Sequence, residues 1–305
     1  MTELLVQQSV NWITLGSIYA LLAIGFSLIF GVLNVIHFSH GDVAMTAPFI
    51  ALAAAQALAT VFGAAAPIWL VLAVLGAVLC VGLIGVALDK AIIRRFRDAP
   101  AMMALVATVA LGIVIRELIR HLYPQGSNPH AFPRLVSGVA FEITGVPVSW
   151  FALTVVGLTV LLVALLFVFL HKTPLGLRIR AASEDRIVAR MMGISDGRVF
   201  RATFLVASAI GAIAGLLFAS YAGVTRFDFG VMAGLLGFSA AVIGGLGSMP
   251  GAIVGGLIIA GIEVLAQTFV PEGASYRLVF VFMLVIVVLI FRPAGLLGRT
   301  IMEKV

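Results

Sequence analysis

The chain has 305 residues, of which 62% are hydrophobic and 10% are charged, and its mean hydropathy is +1.21. About a quarter of the residues of a soluble domain are charged, so this composition excludes an ordinary soluble protein. Apolar runs recur at the length of roughly 20 residues that a bilayer-spanning helix needs, and the alternating pattern of a membrane barrel does not occur. The sequence therefore predicts an all-α, polytopic membrane protein.

The net charge of +6 does not indicate nucleic-acid binding. The basic residues lie mainly beside the ends of the apolar runs, where membrane orientation and anionic lipid headgroups explain them. One cysteine, Cys80, allows no intrachain disulfide, and the sequence contains no Cys/His cluster typical of a metal site. The N-terminus lacks the basic region of a cleaved signal peptide, so we expect the first span to be retained.

The apolar runs predict about eight or nine membrane-spanning helices, and some of these segments are interrupted or re-entrant. Small residues in the first run, and Ala207, Gly211 and Gly215 in the sixth, predict close helix packing. Glu263 lies inside an apolar run, so we expect it to have a buried partner or to face a pore. The runs cover residues 10–32, 44–62, 67–88, 102–119, 150–170, 202–221, 230–246, 252–270 and 278–291.

A polar interruption, NVIHFSHGD, follows the first run at residues 34–42. Such a break at membrane depth is tolerated only where it faces protein or water. Taken alone, His37, His40 and Asp42 leave several interpretations open: a metal site, a proton relay, or an interfacial turn with Asp42 at a helix N-cap. A second interruption, GGLGSMPG, occupies residues 244–251, and paired interruptions in two halves of a chain point to a central transport site.

The loop charges predict the orientation in the membrane. Residues 89–98 include Lys90, Arg94, Arg95 and Arg97, and residues 171–201 carry seven Lys and Arg, so both loops are expected on the cytoplasmic side. Residues 121–147 form an external loop with a small hairpin around Thr144–Gly145. Arg299 and Lys304 favour a cytoplasmic C-terminus, and counting back places the N-terminus outside. Arg116 and Glu117 are expected to pair with neighbours or to reach the interface.

The loop of residues 171–201 contains one short predicted helix. Ser183 is a suitable N-cap, Glu184 and Asp185 fall in the first turn, where the helix dipole favours acidic side chains, and Gly193 is a suitable left-handed stop. The helix has an apolar stripe made of Ile187, Val188, Met191 and Met192. A cytoplasmic helix with such a stripe favours a protein partner, and the alternative is an ordinary solvated loop.

Four segments in order resemble the permeases of branched-chain amino acid ABC importers of the LivH type. They are FGVLNVIHFSHGD at 30–42, RAASEDR at 180–186 followed by ARMMGI at 189–194, GGLGSMPG at 244–251, and RPAGLLG at 292–298. The resemblance covers nearly the whole chain, so residues 1–305 are expected to form a single permease domain. It implies that residues 171–201 couple the permease to a cytoplasmic ATPase through Ala182, Glu184, Asp185, Met192 and Gly193. It also implies a substrate path near Asn34, His37, Ser39, His40, Asp42 and Ser239.

The resemblance further implies an assembly in a bacterial inner membrane. The partners would be a second, homologous permease, two cytoplasmic ATPases and an external substrate-binding protein, and lipid would surround the helices. The substrate would be leucine, isoleucine, valine or a related amino acid, and short amides or urea are the alternatives in divergent members. Phosphate-loop, nucleophile-elbow and His-Glu-x-x-His motifs are absent from the sequence, so we expect no enzymatic activity, no metal and no cofactor on this chain. The alternative function is a stand-alone secondary carrier or channel for small polar solutes.

Overall fold

The computed structural model describes residues 1–62, 67–96 and 99–298, so the predictions for Arg97, Arg299 and Lys304 lie outside the described residues. Eleven α-helices run through the described residues, together with four short strands and a 3-10 turn at Ile93–Phe96. The helices are α1 Thr2–Leu33, α2 His40–Phe62, α3 Pro67–Ala91, α4 Ala101–Leu122, α5 Trp150–Lys172, α6 Pro174–Glu184, α7 Arg186–Met191, α8 Asp196–Ala222, α9 Phe229–Gly244, α10 Met249–Phe269 and α11 Gly273–Phe291. The strands are β1 His130–Ala131, β2 Val139–Ile143, β3 Val146–Ser149 and β4 Val224–Thr225.

Eight of the helices in the described ranges are long and apolar enough to cross a membrane, namely α1–α5, α8, α10 and α11. This confirms the predicted polytopic helical fold. The run at 230–246 forms α9, which has 16 residues. At 1.5 Å per residue, α9 is about 24 Å long and is shorter than a hydrocarbon core of about 30 Å. It therefore belongs to an interrupted segment, together with the break that follows it.

The helix α1 lies at the centre of the bundle. In the apolar 18-residue stretch of α1, 89% of the residues are buried, whereas 6% are buried in the equivalent stretch of α11. It packs against α10, α8 and α9, and small residues permit the approach. A Cβ atom added to Gly256 of α10 would lie 2.5 Å from the backbone nitrogen of Ala20. The small residues of the first run therefore have the packing role that the sequence predicted.

The predicted small-residue ridge of α8 is also a packing surface. Gly211 lies against the His40 ring, and a Cβ atom there would come within 2.9 Å of that ring. Gly215 lies against the backbone of Ala44. Through these glycines α8 packs directly on α2.

The loop between α4 and α5 holds the predicted hairpin. Strands β2 and β3 pair antiparallel, with Ile143 opposite Val146, and both turn residues have positive φ, 49° at Thr144 and 82° at Gly145. Strand β1 pairs antiparallel with β4, which ties this loop to the turn after α8. We call this the hairpin end of the bundle and the opposite end, which carries α6 and α7, the α7 end.

The tight contact between α1 and α10 predicts the effect of adding one methyl group. We expect Gly256→Ala to destabilise the protein by about 1–3 kcal/mol, because the new Cβ meets backbone that cannot move aside easily. Gly157→Ala on α5 is the matched control, since a Cβ there meets nothing within 4 Å. Thermal unfolding of both variants in the same detergent measures the difference. Equal melting temperatures for the two would contradict the packing described here.

Candidate functional site

The first polar interruption is a turn held inside the bundle. Helix α1 ends at Leu33, and Asn34 has the left-handed conformation with φ of 54° while its N–H bonds to the Phe30 carbonyl at 2.7 Å. The N–H of Phe38 donates to the Thr108 hydroxyl of α4 at 3.3 Å. Protein groups therefore accept these two backbone N–H groups of the break, as an apolar surrounding requires.

Five of the six side chains predicted to lie on a substrate path are buried, and Asn34 is exposed. The Ser39 hydroxyl lies 3.3 Å from Nε2 of His37. The His40 ring contacts the edge of the Phe26 ring, with centroids 4.9 Å apart, and Gly25 leaves the room that this ring occupies. Ser239 is buried on α9, which packs on the start of α2 through Gly41 and Gly234.

Burial determines the charge of the histidine in this turn. Burial and, to a smaller extent, the neighbouring His40 ring together lower the pKa of His37 to about 3, so the imidazole is neutral near pH 7. Among the described residues, no group of three or more His, Cys, Asp or Glu side chains could hold a metal ion. The structure thus places His37 in contact with Ser39 and with the Phe204 ring, whose centroid is 5.3 Å away.

Asp42 connects three helices. Its Oδ1 atom lies 3.7 Å from Nε of Arg116 on α4, and its carboxylate occupies the space that side chains at Gly112 and Gly230 would fill. The expectation that Arg116 and Glu117 pair with neighbours is confirmed, because Glu117 lies 3.6 Å from Arg120 and 3.3 Å from His121. Asp42 lies within the first turn of α2 and is not its N-cap.

The second interruption lies against the end of α1, just before the first interruption. Gly247, with φ of 84°, lies against Gly31 of α1, where an added Cβ would be 3.6 Å from the Gly247 Cα atom. The C-terminal RPAGLLG segment completes this junction. The N–H groups of Leu296 and Leu297 bond to the carbonyls of Ile243 and Gly244 at 2.8 Å and 2.9 Å, so they satisfy carbonyls at the end of α9 that have no partner within the helix.

The prediction of one helix capped by Ser183 is wrong. The chain forms two helices, α6 and α7, that meet at Asp185. The Ser183 hydroxyl donates to the Arg180 carbonyl within α6, and Glu184 is the last residue of α6 instead of a first-turn residue. Asp185 is the N-cap of α7, because its Oδ1 accepts from the N–H groups of Ile187 and Val188 at 2.9 Å and 3.0 Å.

Helix α7 is fixed on one side and exposed on the other. Arg186 and Arg190 each approach Oδ2 of Asp196 to 3.0 Å, which attaches α7 to the start of α8. The predicted left-handed stop at Gly193 is confirmed by its φ of 78°. Ala182 and Ala189 are buried. The exposed fractions of the predicted apolar stripe are 72% at Ile187, 52% at Val188, 82% at Met191 and 79% at Met192.

A cluster at the hairpin end was only partly predicted. Glu263 has the expected buried partner in Tyr19, whose hydroxyl donates to its Oε2 at 2.7 Å, and Nη1 of the partly exposed Arg277 lies 3.0 Å from its Oε1. Tyr19 and Arg277 were not predicted as its partners. A charge-balance argument would have pointed to Arg277, since it is the cation at the start of the apolar run at 278–291 and could neutralise the acidic residue of the preceding run.

Comparisons with known proteins agree with this architecture. The family described as branched-chain amino acid transport system, permease component, matches residues 8–289. The BraD permease protein of the high-affinity branched-chain amino acid transport system of Pseudomonas aeruginosa is 33% identical over 304 residues, covering 98% of this chain and 97% of the relative. The LivH permease protein of the corresponding Salmonella typhimurium system is 32% identical over 305 residues, with the same coverage. A probable LivH permease of Methanocaldococcus jannaschii is 29% identical over 206 residues, 66% of this chain and 62% of the relative. The chain therefore belongs to the family of permease components of branched-chain amino acid transport systems.

Proposed function

We propose that this chain is the membrane-spanning subunit of an ATP-driven importer for branched-chain amino acids. The observation that carries the proposal is the full-length similarity to BraD and LivH, combined with an exposed apolar face on α7 at the end of the bundle that carries the basic loops. The chain itself binds no cofactor, and ATP is hydrolysed by partner subunits. It catalyses no covalent chemistry.

The proposed assembly contains a second, homologous permease, two cytoplasmic ATPases and an external substrate-binding protein, all in a bacterial inner membrane. The distribution of basic residues supports a cytoplasmic α7 end, because Lys and Arg are retained on that side. In this orientation α7 and the C-terminus are cytoplasmic, and the hairpin end faces the binding protein. Residues 182–193, including Ala182, Glu184, Asp185, Met192 and Gly193, form the contact with an ATPase.

The two interrupted segments are proposed as the gate of the substrate path. The turn at residues 34–42 follows the end of α1, where Gly31 lies against Gly247 of the second break. His37, Ser39, His40, Asp42 and Ser239 are buried in this state, which corresponds to a closed gate. Relative movement of the two permeases would open it and expose these polar groups, together with Asn34, to the passing substrate.

Co-purification and uptake test this function. A tagged chain, purified in mild detergent from its native host, should bring along an ATPase with a phosphate loop. Membrane vesicles that contain the complex should accumulate labelled leucine when ATP is present on the side of the membrane that carries the ATPases. Recovery of the chain alone, with uptake that a proton uncoupler abolishes while ATP remains high, would show a secondary carrier instead.

The exposed methionines of α7 should be needed for the ATPase contact. Each buried Met side chain contributes about 1.5–3 kcal/mol to an interface, so Met191→Ser combined with Met192→Ser should reduce ATPase recovery by at least about tenfold. Val139→Ser combined with Ile143→Ser is the matched control, because both residues are exposed and apolar but lie on the hairpin. Unchanged recovery in the Met191/Met192 variant would contradict the assignment of α7.

The N-cap of α7 should affect transport through helix stability. Asp185→Ala removes the acceptor for two N–H groups, which costs about 1 kcal/mol, or roughly a fivefold change in helix population. We expect the initial rate of leucine uptake to fall several-fold at equal membrane levels. Asp185→Asn retains the capping oxygen without the charge and should retain most of the rate. If Asn and Ala behave alike, the cap is not the relevant property of Asp185.

The Asp42–Arg116 pair should stabilise the region around the gate. Arg116→Gln leaves a buried carboxylate without its cation, a cost on the order of 1–3 kcal/mol, and combining it with Asp42→Asn should recover much of the loss in melting temperature. Arg120→Gln is the control, because its pair with Glu117 is about half exposed and such pairs contribute less than about 1 kcal/mol. A double variant as unstable as Arg116→Gln would rule out the pair as the cause.

A further inference from the structure

A cavity of about 270 Å³ lies at the hairpin end, enclosed by α1, α8, α9, α10 and α11. Its lining comes from Gln8 and Asn11 near the start of α1, from Tyr221 at the end of α8, and from Glu263 and Gln267 in the second half of α10. Cavities for drug-sized ligands occupy roughly 300–1,000 Å³, and one water has about 30 Å³ of liquid volume. The cavity therefore fits a small metabolite better than a large ligand or a single water molecule.

One wall of the cavity carries both signs of charge. Glu263 is 2% exposed, and its carboxylate is held by the Tyr19 hydroxyl at 2.7 Å, the Gln267 amide at 3.3 Å and Arg277 at 3.0 Å. Arg277 approaches Glu263 through Nη1, and a guanidinium group has five N–H donors in a fork that matches a carboxylate. The guanidinium can therefore bind a second carboxylate while the ion pair with Glu263 remains.

The remaining wall of the cavity is apolar. It is formed by Leu15, Phe218, Phe229, Met232, Leu236 and Val264. A ligand that fits both walls has an ammonium group and a carboxylate close together at one end and a hydrocarbon group at the other. An α-amino acid with an aliphatic side chain has this arrangement, because its two charged groups share one carbon atom.

We propose that this cavity binds an aliphatic α-amino acid, with the carboxylate on Arg277 and the ammonium group on Glu263. Asn11 and Gln8 supply further hydrogen-bonding groups at the same end. Short amides and urea carry neither charge and leave the ion pair without partners, so the site selects against them. The role of the cavity in transport rests on the proposed function. In an importer with the hairpin end outside, a delivered amino acid reaches this site before the gate at residues 34–42.

The substrate dependence of uptake tests the site. In vesicles with the complete complex, Arg277→Gln and Glu263→Gln should each raise the KM for leucine at least tenfold. A purely structural role for the pair would lower the amount of folded complex and the maximal rate instead. Leucinol, which lacks the carboxylate, and 4-methylpentanoate, which lacks the ammonium group, should not compete with leucine in the unmodified complex.

A variant of the apolar wall tests the location independently of the charges. Val264→Phe reduces the cavity and should raise the KM for leucine more than the KM for alanine. Leu265→Phe is the matched control, because Leu265 is the next residue of α10, is 54% exposed and does not line the cavity. Its KM values should equal those of the unmodified complex.

The outcomes separate the two proposals. If the unmodified complex does not take up leucine with ATP, the proposed function fails. If it does so but Arg277→Gln, Glu263→Gln and Val264→Phe all retain the unmodified KM, the importer stands and the cavity is a water-filled space between helices. Competition by leucinol or 4-methylpentanoate equal to that by leucine would overturn the roles given to Arg277 and Glu263.

Discussion

Backbone polar groups that leave a helix inside an apolar bundle must find partners within the protein, and this constraint shapes the centre of the molecule. The chain breaks at residues 34–39 and again at 245–248, and the second break lies against the end of α1, where Gly31 contacts Gly247. Thr108 satisfies one of them, and the C-terminal segment satisfies the carbonyls that end α9. These partners come from distant parts of the sequence, so the breaks are stable only in the complete bundle.

Much of the fold follows from local pattern. Apolar length predicts the spanning helices, small residues predict the close packing of α1, and Thr144–Gly145 predicts the hairpin, because each signal is contained in a few neighbouring residues. The burial of Glu263 with a partner was also predictable, since a lone carboxylate in lipid is costly. Charge balance favours Arg277 as that partner, whereas no local pattern brings Tyr19 to the same carboxylate.

The coupling segment shows how competing local signals limit prediction. Ser183 and Asp185 are both good N-cap residues, and the sequence alone does not decide between them. The structure extends α6 through Ser183 because this helix has its own cap at Thr173 and buries Ile179 and Ala182. Asp185 then begins α7, whose position depends on the contacts of Arg186 and Arg190 with Asp196 of α8. Tertiary contacts thus determine where α6 ends and α7 begins.

Helix α8 touches all three regions to which a function is assigned. Asp196 at its start holds α7, Phe204 contacts His37 of the proposed gate, and Phe218 and Tyr221 near its end line the charged cavity. Gly211 and Gly215 pack it directly on α2, so α8 cannot shift without moving the helix that begins at the gate. Interiors packed at this density transmit displacement instead of absorbing it. We infer that movement of α7 by an ATPase would reach the gate and the cavity along this helix.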